Sequence, residues 1–570
     1  MLDARLRTAI EAAFGADTAG ADPVVRRSDR ADFQANGAMG LAKRLGKPPR
    51  EVAEAIVEHL DTGSMLLPVE VAGPGFLNLA LTPTYLAEAV TEMAESARLG
   101  VAPTPRPERV MVEYSSPNVA KAMHVGHLRS TVIGDALARI LAWAGHDVMR
   151  DNHLGDWGTQ FGMLIEHLVD LDVASDPSQF AVDDLDALYR EARAKFDSDE
   201  SFKERARQRV PLLQRGDPAA LQLWQTLIDE SERHFEVVYR KLGVQLEHDD
   251  IRGESFFNPM LDDIVEELKA KGLLVLDDGA WCAYPKGFFN REGEPLALIV
   301  RKSDGGYGYA ATDLAAIAWR VREAKLQRIV YVVDARQAQH FAMVFEVARE
   351  AGWLDGVQVE HVAFGMVLGD DNRPFKTRSG ETVRLVDLLD EAVQRAATLV
   401  AEKSADLSPE EQAEVAVAVG IGAVKYADLV ADRTKDYVFD FDRLLAMDGN
   451  TAPYIQMAHA RIRSILRRAN EQGFAPGPIA IEAPAERALA LELLAFEGVV
   501  HEVTASLRPH VLCAYLFDTA STFTTFYEQC PVLKADTAAQ RASRLALADV
   551  TARVLAQGLA LLGIDTPERM

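Results

Sequence analysis

The stretch from residue 109 to residue 150 constrains the fold more than any other part of this chain. It opens with RVMVEY (Arg109–Tyr114), a buried-strand candidate. A polar turn, SSPNVAKAMHVGHLRS (Ser115–Ser130), follows. From near His127 the apolar residues Ile133, Leu137, Ile140, Leu141 and Ala144 recur at helical spacing, and Gly145 is a natural terminator. Asp147–Arg150 then resumes as a strand. Further β-rich runs lie at Leu296–Arg301, Arg328–Val333 and Val357–Val367, with helical segments Asp313–Ala324 and Gln337–Ala351 between them. Strands alternating with helices predict an α/β fold with a doubly wound, parallel, Rossmann-like sheet.

The 570 residues are enough for three to five domains. Residues 1–100 read as a small α/β domain: a helix, a loop, a helix at Pro48–Leu60, then strands within Val69–Leu81 around a Gly-Pro-Gly turn. The proline-rich Val101–Glu108 reads as a linker. The sheet domain covers 109–395, with a charged, mostly helical insertion at about 161–290. A helical junction (396–452) and an all-α bundle (453–570) complete the chain, and no convincing strand is expected beyond about Ser408. In Tyr454–Asn470, Ile455, Ala458, Ile462, Ile465, Leu466 and Ala469 form one apolar stripe. Arg461, Arg463, Arg467 and Arg468 make the same helix strongly basic.

Composition excludes several classes. With 48% hydrophobic and 26% charged residues the chain resembles an ordinary globular protein. Its longest apolar stretches, such as Ala416–Val424, fall far below the ~18 residues a membrane span needs. The start of the chain lacks a secretory pattern, so the expected location is the cytoplasm. Cys282, Cys513 and Cys530 are too few and too scattered for a disulfide framework or a zinc site. A net charge of −25 argues against indiscriminate coating of nucleic acid, DNA included, but not against a shaped RNA held by local basic patches.

The turn after the first strand carries the sharpest chemical signal, because ligands in open α/β sheets bind at such strand ends. His124 and His127 flank Gly126 at the start of a helix, whose N–H groups and dipole suit phosphate. Glycine lets a flat base approach the backbone, and the histidines can donate hydrogen bonds to phosphate oxygens. A pair that merely caps the helix is the alternative.

The string from Asn118 through Lys121 to His124–His127 resembles the HIGH motif region of class I aminoacyl-tRNA synthetases, and the arginyl-tRNA synthetases in particular. The resemblance extends over essentially the whole chain, through GPGFLN (Gly73–Asn78), DNHLGDWGTQFG (Asp151–Gly162), GYAATDLA (Gly308–Ala315), YVVDARQAQHF (Tyr331–Phe341), FGMVLGDDNRPFKTRSGETVRL (Phe364–Leu385), Ala452–Leu466 and the closing LALLGIDTPERM. It departs from the class pattern at PFKTRSG, which stands where KMSKS is usual. Lys376 and Arg378 are present there, and Lys121 fits the role of supplying the missing charge to the triphosphate. Ala122 stands where proline is usual.

The resemblance implies an ATP-dependent ligase that forms arginyl-adenylate and pyrophosphate and moves the arginyl group to tRNA(Arg). ATP would enter as a substrate with Mg2+, with no zinc, no organic cofactor and no metal held by the protein itself. It implies ATP contacts from Lys121, His124, Gly126 and His127. Tyr309 and Asp313 would bind the guanidinium with Glu113 in support, and Asn118, His124 and Gln337 would hold the amino-acid head group. A guanidinium is best gripped by carboxylates in fork geometry, although Asp313 in TDLAA also fits as a helix N-cap. Phe76 and Asn78 would meet a splayed tRNA base, and the arginine face of 461–468 would open an anticodon-binding bundle. The family further suggests a monomer that needs bound tRNA before it activates arginine. An inactive tRNA-binding paralogue and a small-molecule nucleotidylyltransferase sharing the His-x-Gly-His turn are the competing readings.

Overall fold

A computed structural model describes residues 2–173, 185–369, 371–375, 383–404 and 407–570. The chain forms two compact units, neither of them one continuous stretch. The first holds Met1–Val101, Arg461–Glu497 and Asp518–Leu555, and the second holds Ala102–Ala460, Gly498–Phe517 and Ala556–Met570.

In the first unit, β1 (Val25–Arg27), β2 (Phe33–Ala35), β3 (Glu70–Ala72) and β4 (Phe76–Leu79) make an antiparallel sheet in the order β1-β2-β4-β3. The expected strands within 69–81 are present. β1 and β2 lie where a loop was expected, because strands of three residues leave no readable alternation. The helix Pro49–Glu58 buries Val52, Ala53 and Ile56, three residues at helical spacing, on one face.

The second unit is built on a parallel sheet of four strands, β5 (Arg109–Glu113), β6 (Asp147–Asp151) and two later strands. The helix Val125–Trp143 crosses over from β5 to β6. Helices Gln160–Asp170, Leu185–Ser198, Glu200–Gln214 and Pro218–Leu242 lie between β6 and the later strands, within the segment read as an insertion. Three antiparallel strands come next: β7 (Val275–Asp277), β8 (Ala280–Ala283) and β9 (Leu298–Arg301). The run at 296–301 is therefore not part of the parallel sheet. It pairs with β8, and apolar content does not reveal strand direction. β10 (Arg328–Tyr331) and β11 (Gln358–His361) complete the parallel sheet in the order β11-β10-β5-β6. β12 (Val367–Leu368) pairs with β13 (Tyr437–Val438), a short strand beyond the point after which none was expected.

Val110, Met111, Val112, Ile329 and Val330 are fully buried, as the central strands of a sheet covered on both faces must be. Met111, Ile329 and Tyr331 share a core with Ala311, Leu314 and Ala315 of the helix Tyr309–Arg322 and with Val344 and Ala348 of Ala338–Glu350. Gly134 permits the close contact of the crossover helix with β5: a Cβ there would lie 2.2 Å from Tyr114 Cβ. Among the described residues no helix is long and apolar enough to cross a membrane, and the three cysteines are buried, unbonded thiols.

Candidate active site

The turn after β5 is unusually constrained. Ser115, Ser116 and Ala120 take positive φ angles of 72°, 48° and 60°, a region costly for residues with a Cβ. Buried polar partners hold them there. The Ser115 N–H donates to Ser130 Oγ (2.9 Å), the Ser116 N–H to Asn152 Oδ1 (3.1 Å) and the Ala120 N–H to Ser231 Oγ (2.9 Å). Ser115 Oγ also meets Tyr239 Oη at 2.8 Å. Ser231 and Tyr239 belong to the long insertion helix Pro218–Leu242.

The turn ends in two imidazoles whose ring centroids are 4.1 Å apart. His124 Nδ1 accepts the Gly126 N–H (3.0 Å), and His127 Nδ1 accepts the His124 N–H (3.1 Å). Both Nδ1 atoms are thus acceptors, so each neutral ring carries its proton on Nε2. Burial lowers the His124 pKa, and burial together with His124 pushes that of His127 down to about 3. The rings are neutral donors rather than cations. The pair caps the helix, and among the described residues neither Nε2–H has a hydrogen-bond partner, so capping and ligand donation are compatible.

Two expectations need correction here. The first N–H groups of the helix are not free, because Val125 donates to Val383 O, Gly126 to His124 and His127 to His124 O. The space above Gly126 is occupied by the His124 ring, which a Cβ there would meet at 2.7 Å. Lys121 acts electrostatically on both histidines and lies 4.5 Å from the Tyr189 ring centroid. Lys376 and Arg378 lie outside the described residues.

Beside this turn is a cluster of carboxylates. The helix containing Tyr309 and Asp313 starts at Tyr309, with Gly308 as N-cap. Asp313 is therefore one turn inside the helix and not its cap. Its Oδ2 lies 2.6 Å from His340 Nε2. Tyr309 stands on the same face but is 74% exposed. Glu113 is buried and bound at 2.5 Å by Arg320, which also holds Asp151 at 2.6 Å. Glu113 thus faces an internal guanidinium and is not a free ligand carboxylate. Glu113, Asp151 and His153 place their ligand atoms within 4.8 Å of one another, but Arg320 already occupies both carboxylates, so the group is a buried ion pair and not a fit for a cation. Asn118 is exposed and pairs with Gly155. Gln337 is the exposed N-cap of Ala338–Glu350. Among the described residues, neither Tyr309 nor Gln337 makes a side-chain hydrogen bond or ion pair to the other candidates.

Glu254, which the sequence reading missed, completes the pocket. It opens the short helix Glu254–Phe257, whose Ser255 N–H donates to Asp156 at 2.8 Å. Glu254 has no ion-pair partner among the described residues. Burial, then Asp156 and Asp313, push its carboxyl up to about 8. Crowded carboxylates with too little positive charge make a ready site for a cation. The GES at 253–255 gave no sign of this, because the neighbours come from distant parts of the chain.

In the other unit, Asn78 is 9% exposed and its amide is already engaged, by Gln34 Nε2 at 2.9 Å and by Glu70 at 3.4 Å. Phe76 on the same strand is partly exposed. The stripe of Ala452–Glu471 is buried at Ile462, Ile465 and Ala469, while Arg461, Arg467 and Arg468 are exposed and Arg463 lies 4.0 Å from Asp549.

A family model described as tRNA synthetases class I (R), catalytic domain, matches residues 89–441. The chain is also 54% identical to an arginine–tRNA ligase of Thermobifida fusca over all of its own length and 99% of the relative's. The chain belongs to the class I arginyl-tRNA synthetase family. An arginyl tRNA synthetase N-terminal domain matches 1–81 and a DALR anticodon binding domain matches 455–570. An arginine–tRNA ligase of Synechococcus is 50% identical over 99% of the chain and 98% of its own length. Among solved structures, the arginyl-tRNA synthetase of Plasmodium falciparum gives a TM-score of 0.86 at 28% identity, covering 100% of this chain and 98% of that one. The Thermus thermophilus enzyme gives 0.80 at 27% identity, with both chains fully covered.

Proposed function

We propose that this chain is an arginine–tRNA ligase: it joins L-arginine to tRNA(Arg) at the expense of ATP, through arginyl-adenylate. The observation that carries the substrate assignment is the carboxylate pocket at the carboxyl end of β5, where Glu254 holds its proton to about pH 8 for want of a cation. A guanidinium supplies that charge and is planar, so two carboxylates, Asp313 and Glu254, grip it from different elements. A neutral side chain in its place leaves Asp313 Oδ1 and Glu254 without a cation to bind, which gives discrimination of ~10⁴ or more without a second, editing site.

With the guanidinium held there, the arginine carboxylate attacks the α-phosphate of ATP, brought in with Mg2+. The bond to the α–β bridging oxygen breaks and pyrophosphate leaves. No side chain acts as a covalent nucleophile. Catalysis is alignment together with hydrogen bonds to growing phosphate charge. The neutral Nε2–H groups of His124 and His127 are the donors, and Lys121, with Lys376 and Arg378, supplies positive charge. Asn118 and Gln337 bind the amino-acid head group, and Tyr309 folds over the guanidinium when substrate enters. A terminal ribose hydroxyl of tRNA then attacks the activated carbonyl and AMP leaves.

Residues 1–100 and 453–570 are the tRNA-binding parts in this reading, through Phe76 and the exposed arginines of 461–468. The chain works as a cytoplasmic monomer. Purified protein given labelled arginine, MgATP and total tRNA is expected to charge tRNA, and failure to do so overturns the proposal. Pyrophosphate exchange is expected only when tRNA(Arg) is present, and equal rates without it refute that dependence.

A further inference from the structure

We infer that His340 is a positioning residue of the arginine pocket: it fixes the Asp313 carboxylate through Nε2 and carries a second ring proton that leaves when the substrate cation docks on the same carboxylate. The inference rests on the reading of this pocket as the guanidinium site.

The geometry comes first. His340 sits in the first turn of the helix Ala338–Glu350, and Asp313 sits one turn into Tyr309–Arg322. Their 2.6 Å contact joins the two helices that flank β10 at its carboxyl end. The bond engages Oδ2 of Asp313 and leaves Oδ1 for a ligand. A carboxylate held at one oxygen has a fixed plane, which is what recognition of a planar guanidinium requires.

The second element is charge. In the empty pocket the His340 pKa is raised, first by its hydrogen bond to Asp313, with burial opposing and the charge of Asp313 adding. Phe341, on the same helix, presents a ring edge at 5.5 Å and no charge. Around Asp313 stand Glu113 from β5, His153 from the segment after β6, Glu254 from the short helix and Tyr331 from β10. Arg320 answers Glu113 and Asp151, so His340 is the group placed to answer Asp313.

An arriving guanidinium takes over that task. The Nε2–H bond to Asp313 stays, while the proton on the other ring nitrogen goes to water, for which the 29% exposure of the side chain leaves a route. Arginine affinity therefore rises with pH through the range in which free His340 titrates, since deprotonated His340 leaves Asp313 unanswered. Glu254 releases its own proton in the same direction, so the contribution of His340 is the difference between the wild type and a variant that keeps the hydrogen bond without the proton.

His340→Gln is that variant, because its amide donates to Asp313 but does not titrate, and His340→Ala removes both. Arginine is titrated calorimetrically into the full-length proteins, in buffers of different ionisation enthalpy, across pH 6 to 8.5. The wild type is expected to release more protons per arginine than His340→Gln, by up to one. At the upper end of the range His340→Ala should bind about ten-fold more weakly than wild type, with His340→Gln recovering most of that loss. Equal proton release by wild type and His340→Gln overturns the proton-carrying role. Equal weakness of the two variants overturns the positioning role. No arginine binding by wild type at any pH would strike the functional reading itself, and this inference with it.

Discussion

Replacing Glu254 with Gln should make the protein more stable and at the same time unable to hold arginine. In the empty pocket the Glu254 carboxyl keeps its proton to about pH 8, against a usual 4.5, first because it is buried and then because Asp156 and Asp313 face it. A carboxyl raised in the folded state withdraws stability as pH climbs from the unfolded value to the folded one. At pH 5 the loss is small. At pH 7 the pH has moved two and a half units beyond 4.5, at about 1.4 kcal/mol per unit, so the ceiling is about 3 kcal/mol. Water entering the pocket lowers that ceiling, and a gain of about 1–3 kcal/mol for the amide is the working figure. Thermal unfolding followed by tryptophan fluorescence suits the test, since Trp157 and Trp319 are placed around the short helix. The melting temperature of Glu254→Gln should exceed that of wild type by a margin that widens from pH 5 to pH 8. Arginine at a hundred times its dissociation constant should stabilise the wild type by about 2.7 kcal/mol and leave the variant almost unmoved. A margin that is absent or independent of pH, or a variant stabilised by arginine as much as wild type, refutes the reading of this carboxyl as one that no cation pairs with until arginine arrives.

Four further substitutions separate the roles assigned above. Asp313→Asn should raise the arginine KM by about 100-fold or more, the loss of a charge-assisted contact, with a smaller change in the KM for ATP; steady-state charging kinetics decide. Lys121→Ala should slow adenylate formation by at least about ten-fold with little effect on arginine affinity, and single-turnover rates separate the two. Phe76→Ala should weaken tRNA binding in a filter assay while leaving the melting temperature close to wild type. Asn78→Ala should instead destabilise the protein by ~1–3 kcal/mol, the cost of stranding the partners of a buried amide, read as a lower melting temperature.

The parts of this structure that were legible in the sequence are those determined locally. The middle of the run at 109–114 is covered on both faces and shows it in three successive apolar residues, Val110–Val112, and the helix after it ends at a glycine as its pattern says. The runs at 296–301 and 328–333 look alike, yet one is antiparallel and the other parallel, because direction is decided by which strand arrives as neighbour. Strands of three residues such as Val25–Arg27 are too short to display a period. At the candidate site, the histidines and Asp313 could be singled out from the sequence because the residue type and its place at a strand end or in the first turns of a helix carry a signal. Glu254 and His340 were not found, since an ordinary glutamate and an ordinary histidine acquire their meaning only from Asp313, which lies 59 and 27 positions away. Asn78 erred in the opposite sense: nothing in GPGFLN says that its amide turns inward to Gln34.

The left-handed residues of the turn after β5 have one more implication, for anyone wishing to trim this protein. Ala120 and Ser115 rely on Ser231 and Tyr239, both carried by the long helix of the insertion. That helical segment is thus a brace for the turn and not a decoration between strands. A minimised catalytic domain made by splicing it out would retain every residue of the His-Val-Gly-His string, yet the turn would relax toward ordinary backbone angles and the histidines would no longer be aimed.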